Sequence, residues 1–228
     1  MLHRLMAIVA LAAFPAQAIA ADVSGSIMLV SDYRYRGISL SDNQPALQAS
    51  LDVEHESGLY AGLWASTIKE PGRNLATEID FEAGYEVELT DHLGLDFMAA
   101  YSAYPSDADA NYIEGTAKLT LNRGIVEAAV GASLIPRQGA TEDELGRRHP
   151  NRYFFGEVSV DLPGAPIKVT AETGYERGFF DEVEDGGKWD WSAGMEFDLK
   201  PVRAGVTYVG STAPGNDDCL VASLSVDF

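Results

Sequence analysis

Cysteine is nearly absent from this chain: Cys219 stands alone, so no intrachain disulfide can staple the fold. Histidine is scarce as well, and the four present are too scattered to give a zinc-ligand spacing, so neither a structural metal nor a cofactor is expected. Basic side chains are outnumbered, 16 against 35 acidic ones, and a net charge of −19 excludes a protein that works by displacing counterions from a phosphate backbone. Nucleic acid is not a partner. Gly-x-Ser-x-Gly, phosphate-loop and dinucleotide fingerprints are all missing, so no enzyme activity and no catalytic residue is expected. Only His149, near Glu142, Asp143 and Glu144, sits where a protease-like pair would have to be built. Beyond the first twenty residues no apolar run approaches the roughly twenty residues a helix needs to cross a bilayer. That absence excludes a helical membrane protein and leaves a barrel open, since strands cross with about ten residues. What is there, 228 residues of which 46% are hydrophobic, is enough for one sizeable domain and too apolar for a disordered chain.

Met1 to Arg4 carries one positive charge, Leu5 to Phe14 is an unbroken apolar run, and Pro15 precedes the small-x-small pattern Ala18-Ile19-Ala20. Residues 1–20 therefore read as an export signal cut after Ala20, or Ala21, with residues 21–228 as a single domain. About ten apolar residues are too few for a membrane anchor. Loss of Arg4 moves the formal charge from −19 to about −20.

The rest of the chain alternates. In Thr77 to Leu89, Ile79, Phe81, Ala83, Tyr85, Val87 and Leu89 share one parity while Glu78, Asp80, Glu82, Glu86 and Glu88 share the other. Successive strand side chains point to opposite faces, so this is one apolar face backed by one acidic face. Ile167 to Glu176 and Trp189 to Leu199 repeat the pattern, which marks an antiparallel β protein. About twelve such segments follow one another: 23–36, 45–55, 59–68, 77–89, 93–103, 111–121, 125–134, 152–162, 167–176, 188–199, 202–209 and 219–228. Connections after the even-numbered segments are tight and carry turn residues, such as Glu56-Ser57-Gly58, Asn122-Arg123-Gly124 and Lys200-Pro201. Connections after the odd-numbered ones are longer and polar, notably Ile135–Asn151 and Arg177–Gly187. Short turns at one end and long loops at the other fit an up-and-down transmembrane β-barrel with periplasmic turns and external loops. About ten residues of tilted strand rise about 25 Å, the height of the apolar band in such barrels.

Strand pattern alone does not assign the faces. In a soluble barrel or sandwich the apolar set points inward, whereas in an outer-membrane barrel it faces lipid and the polar set lines the lumen. The export signal, the loop asymmetry and the terminal ladder Leu220, Ala222, Leu224, Val226, Phe228 favour lipid outside. Tyr101, Tyr175, Trp189, Trp191 and Tyr208 are then candidates for an interfacial girdle.

Val30-Ser31-Asp32-Tyr33-Arg34-Tyr35-Arg36-Gly37-Ile38-Ser39, then Ser41-Asp42-Asn43-Gln44-Pro45-Ala46, then His55-Glu56-Ser57-Gly58-Leu59-Tyr60-Ala61-Gly62-Leu63-Trp64-Ala65-Ser66 resemble the opening of the TorF-family porins of proteobacteria. The likeness covers the first three strands residue by residue, and the remainder in length, rhythm and the terminal Val226-Asp227-Phe228. It implies an outer-membrane barrel with a passive transport role, located in the cell outer membrane, and carries over no proven site. A terminal phenylalanine also resembles the signal that outer-membrane assembly machinery recognises, which makes that machinery a partner through Phe228.

Twelve strands about 4.8 Å apart and tilted about 40° enclose a backbone radius near 12 Å, so only a narrow channel survives the inward side chains. The inward parity holds roughly nineteen acids against about five bases, and acidic rings favour cations. A porin-like channel for passive diffusion of small cations or neutral and zwitterionic molecules is expected. Its pore-lining candidates are Asp32, Arg34, Arg36, Asp52, Glu54, Trp64, Glu78, Asp80, Glu82, Glu172, Asp190 and Glu196. Arg34 and Arg36 form the one local basic cluster on an inward ladder. They either constrict the pore and orient a carboxylate or pair with Asp52 and Glu54 on the next strand to fix register. Glu78, Asp80 and Glu82 share a face without any calcium-loop spacing. Two other classes remain open: a barrel with a blocked lumen acting as receptor or adhesin through its external loops, and a soluble periplasmic barrel binding an apolar ligand.

Overall fold

Twelve long strands pair in chain order and close on themselves, the last pairing with the first. The structure, a computed structural model, describes residues 21–69, 76–183 and 186–228; the expected export signal lies outside the described residues. The strands are β1 (Ala21–Val30), β4 (Ala46–His55), β5 (Leu59–Ile68), β6 (Ala76–Thr90), β7 (Leu93–Ala103), β8 (Tyr112–Arg123), β9 (Val126–Ile135), β10 (Asn151–Asp161), β11 (Ile167–Gly178), β12 (Lys188–Asp198), β13 (Val202–Ser211) and β14 (Cys219–Asp227). Between β1 and β4 lies a two-stranded ribbon, β2 (Arg34–Tyr35) and β3 (Ile38–Ser39), which is not part of the wall. Every neighbouring pair is antiparallel, as short-turn connections require.

The period-2 pattern decides which face is which. Phe81 is 52% exposed and Met195 41%, while Glu176 and Lys188 are each 1% exposed. The apolar set is therefore outside and the charged set inside, the reverse of a soluble barrel that stores an apolar ligand. Tyr101, Tyr175, Trp189, Trp191 and Tyr208 all lie on the outer face toward the long-loop end, and the Tyr175 and Trp189 rings sit 5.0 Å apart.

Backbone pairing closes the barrel through its last residue. Gly25 and Phe228 exchange two hydrogen bonds, each N–H donating to the other's carbonyl at 2.9 Å. The Phe228 ring lies so close over Gly25 that a Cβ there would meet it at 2.8 Å. At the short-turn end, Gly58 (φ +89) and Gly124 (φ +68) take the left-handed backbone that tight hairpins demand.

The expected first strand, 23–36, is corrected by the structure: β1 stops at Val30, and the chain turns into the barrel instead of continuing along the wall. Tyr35 pairs with Ile38 across Arg36 (φ 49) and Gly37 (φ 80), a two-residue turn with both central residues left-handed. A side chain at Gly37 would strike Ser211 and the Gly210 carbonyl, so the turn abuts the β13 wall. Behind it, Val30, Tyr33, Ala46, Ile68 and Ala76 form a small apolar cluster that packs the root of the ribbon at the long-loop end.

Candidate functional site

The ribbon between β1 and β4 delivers Arg36 to the far side of the lumen. Its guanidinium donates to Glu114 on β8 and, at 2.7 Å, to Glu176 on β11. Lys188 on β12 holds the other Glu176 oxygen at 2.7 Å, and Asn151 on β10 donates to the first at 2.8 Å. Tyr35 donates to the second Glu114 oxygen at 2.9 Å. The guanidinium also lies 4.1 Å from the centroid of the Tyr153 ring and 4.7 Å from that of Tyr35. All of these charges are nearly buried, so each is paired as burial demands. Arg36, a non-glycine residue held at positive φ, is fixed by this clamp.

A second set ties down the root. Arg34 donates to Asp32 at 2.6 Å, to the Asp217 carbonyl at 2.9 Å and to Asn43 at 2.9 Å. The other Asp32 oxygen accepts from Ser39 and Ser41. The ribbon is therefore anchored to the β13–β14 connection as well as to the far wall.

Two consequences correct the sequence reading. Asp32, Arg34 and Arg36 do not stand on a wall ladder, and neither arginine pairs with Asp52 or Glu54, which lie on β4 toward the short-turn end, with Glu54 exposed. The chain leaves the wall after Val30, Asp32 is taken by Ser39 and Ser41, and the left-handed pair Arg36-Gly37 then folds the segment back on itself as a ribbon. Trp64 faces inward as expected and packs edge-on to Tyr33 at 5.3 Å, supporting the ribbon. Glu78 accepts a hydrogen bond from Tyr104 at 2.6 Å, and Asp190 one from Tyr153 at 2.9 Å. Asp80, Glu78 and Asp190 each keep one buried carboxylate oxygen without a partner in the structure.

On the short-turn side of the clamp the lumen opens. A cavity of about 580 Å³ is lined by Asp52, Glu54, Glu82, Glu86, Asp96, Glu127 and Glu157, with Lys118 as its one ammonium group among the described residues. Tyr60 donates to Asp96 at 2.8 Å and Lys118 lies 3.7 Å from Glu157. A neighbouring space of about 310 Å³ shares Glu127 and Glu157 and adds Glu172, Glu196 and Lys168. On the long-loop side a smaller space of about 140 Å³ lies among Tyr35, Tyr104, Tyr112 and Phe180. It shares no lining residue with the two acidic spaces, and the clamp stands between them.

Three inward aromatics lie close against wall glycines. A Cβ on Gly84 would collide with the Tyr60 ring, on Gly131 with Phe155, and on Gly174 with Tyr153. Glycine beside an inward aromatic gives the ring a floor on the wall. Residues such as Glu114, Tyr153, Glu176 and Lys188 were not singled out from the sequence, although parity puts all four inside. Parity reports the face of a residue and not the height at which a loop will meet it.

His149 does meet Asp143, with Nε2 3.0 Å from Oδ2. The same carboxylate also accepts from the Arg147 side chain and from the backbone N–H groups of Leu145 and Arg147. The first of these partners, then the others, hold Asp143 well below the usual carboxylate range. Its lone pairs are spent on closing the 136–150 loop. Among the described residues no group of three or more His, Cys, Asp or Glu is arranged to hold a metal ion.

Among solved structures, the KdgM porin superposes with a TM-score of 0.63 at 8% identity, covering 90% of this chain and 98% of that one. A second KdgM structure, in complex with disordered oligogalacturonate, gives 0.59 at 8% identity over 91% and 98%. The COG4313 outer membrane channel from Pseudomonas putida F1 gives 0.52 at 9% identity over 93% and 96%. At such identities the likeness concerns the fold, a closed twelve-stranded antiparallel barrel. No curated protein matches in sequence. The family model described as "Bacterial protein of unknown function (Gcw_chp)" matches residues 15–221, and the chain belongs to that family.

Proposed function

We propose that this protein is a narrow channel of the bacterial outer membrane for passive diffusion of small solutes, selective for cations over anions and constricted by the Arg36 ribbon. The observation that carries the reading is the acidic vestibule: Asp52, Glu82, Asp96, Glu127 and Glu157 converge on one cavity against Lys118. In a confined lumen fixed carboxylates raise the local concentration of cations and repel anions. The outward apolar face and the aromatics near one rim support the membrane setting. One of the similar barrels holds oligogalacturonate, a polyanion; the carboxylates here argue for solutes of the opposite sign or none. The pore-lining set comprises Asp52, Glu54, Glu82, Glu172 and Glu196 in the vestibule, with Asp32, Arg34, Arg36, Trp64, Glu78, Asp80 and Asp190 at or around the constriction. The export signal of residues 1–20, the TorF attribution and recognition of Phe228 by assembly machinery belong to the same proposal.

The test is conductance in planar bilayers under a KCl gradient. A reversal potential of the sign set by potassium supports the reading, and one set by chloride overturns it. The burial of Arg36, Glu176 and Lys188 favours a second reading, a barrel closed at rest that acts through its external loops. A correctly folded barrel, shown by boiling-dependent gel mobility, that conducts nothing would decide for it.

A further inference from the structure

Outside the lumen, the long-loop rim carries a feature that passage of solutes does not use. Arg152 on β10 and Arg177 on β11 are directly paired across the sheet, both on the outward face and both exposed. Like charges in that relation repel. Neither has an ion-pair partner among the described residues, in a chain with more than twice as many acids as bases. The nearby acids are otherwise engaged or set aside: Asp181 is buried and accepts from Gly178 and Val183, Asp143 and Glu142 are held by Arg147 and Arg148, and Glu182 remains exposed at the edge. Two depressions meet at Arg152. One, of about 560 Å³, is polar and lies among His149, Arg152, Arg177 and Glu182. The other, of about 920 Å³, runs along the lipid-facing wall between Tyr85, Phe97, Ile113, Leu134 and Phe154, with Gly115 in its floor.

A cationic pair at the level of the outer headgroups, continuous with an apolar groove in the wall below it, has the shape of an amphiphile: phosphate above, hydrocarbon chain beneath. We infer that this face binds a phosphorylated, acylated glycolipid of the outer leaflet, its phosphate held between Arg152 and Arg177 and an acyl chain lying over Gly115. Guanidinium groups bind phosphate through paired N–H donors, and a phosphate there removes the repulsion between them. The inference rests on the outer-membrane reading and is independent of whether the lumen is open.

The experiment titrates the folded barrel in detergent with purified lipid A and, separately, with phosphatidylglycerol, reading bound lipid by native mass spectrometry. Lipid A is expected to bind more tightly than phosphatidylglycerol. The double variant R152Q/R177Q, whose exposed side chains are not needed for folding, is expected to weaken lipid A by about tenfold or more. G115F, which fills the groove, is expected to weaken it while Arg152 and Arg177 remain. Undiminished binding by R152Q/R177Q overturns the site, and equal binding of phosphatidylglycerol overturns the choice of glycolipid. Bilayer conductance is measured on the same samples: lipid binding without conductance sinks the channel reading alone, and conductance without lipid binding sinks this one alone.

Discussion

Arg36 donates to Glu176 at 2.7 Å although 140 residues separate them, so the chain's first loop and β11 are locked together across the lumen. The bond is cross-braced by Lys188 on the same carboxylate and by Glu114 on the same guanidinium. A link of this kind holds the ribbon across the lumen, from its root beside β1 to the wall formed by β8 and β11. It also divides an outer space lined largely by tyrosines from an acidic inner one.

Cutting the clamp is expected to widen the proposed channel. Arg36→Gly removes the guanidinium while suiting the positive φ at that position, so the turn survives while the tether is lost and Glu114 keeps only its Tyr35 hydrogen bond among the described residues. Single-channel conductance is expected to rise severalfold with boiling-dependent mobility unchanged. Glu176→Gln behaves differently, because it strands two buried cations, Arg36 and Lys188, and breaking a buried ion pair from one side costs about 3–5 kcal/mol. Urea denaturation is expected to show that loss for Glu176→Gln and a smaller one for Arg36→Gly. Unchanged conductance in Arg36→Gly would falsify the ribbon as the constriction.

Partly neutralising the vestibule is expected to weaken the proposed cation preference. Glu82→Gln, Asp96→Asn and Glu157→Gln together remove three carboxylates from the 580 Å³ cavity and leave Lys118 in place. The reversal potential under a salt gradient is expected to move toward zero or cross it, with conductance at high salt little changed because screening already masks the fixed charge there. A reversal potential that does not move at all on the triple change overturns the vestibule as the source of selectivity.

How far the fold was legible can be argued from particular strands. Leu59–Ile68 and Leu93–Ala103 were read to the residue, and Thr77–Leu89 differs from β6 by one residue at each end, because alternation over ten residues has only one interpretation in an antiparallel wall. The first segment failed where alternation continued after the strand had ended. Asp32, Arg34 and Arg36 keep the inward parity of β1, yet the chain has already left the wall at Val30. The signal that was present is the pair Arg36-Gly37, flanked by Tyr35 and Ile38 as a two-residue turn requires. The partners of Arg36 were illegible for a different reason. Strand periodicity fixes inside against outside, but which of twelve strands a loop residue reaches depends on loop trajectory and barrel stagger, and no local pattern encodes either.

Acid should loosen the 136–150 loop late. Asp143, held below the usual carboxylate range by His149 and Arg147, is a depressed acid, so its contribution is fully present above about pH 4 and fades as pH falls toward its lowered value. Hydrogen exchange at the Leu145 and Arg147 amides, both of which donate to Asp143, is the readout. Compared with Asp143→Asn at each pH, the unaltered protein is expected to stay protected at pH 4–5 and to converge on the variant only in stronger acid. Convergence already at pH 5 would assign the order of this loop to something other than that carboxylate.

Phe228 separates folding from delivery. Its backbone exchanges two hydrogen bonds with Gly25 and so completes the β1–β14 seam, whereas its ring lies on the outer face, 71% exposed, over Gly25. Phe228→Ala keeps the backbone bonds and removes only the ring; deletion of Phe228 removes both. Refolded in detergent without any assembly factor, Phe228→Ala is expected to regain boiling-dependent mobility as the unaltered chain does, while the deletion closes less completely. In cells the two are expected to fail alike, with the protein depleted from the outer-membrane fraction, if assembly machinery reads the ring. Full recovery of Phe228→Ala in that fraction would leave the terminal aromatic with a seam-closing role and no part in recognition.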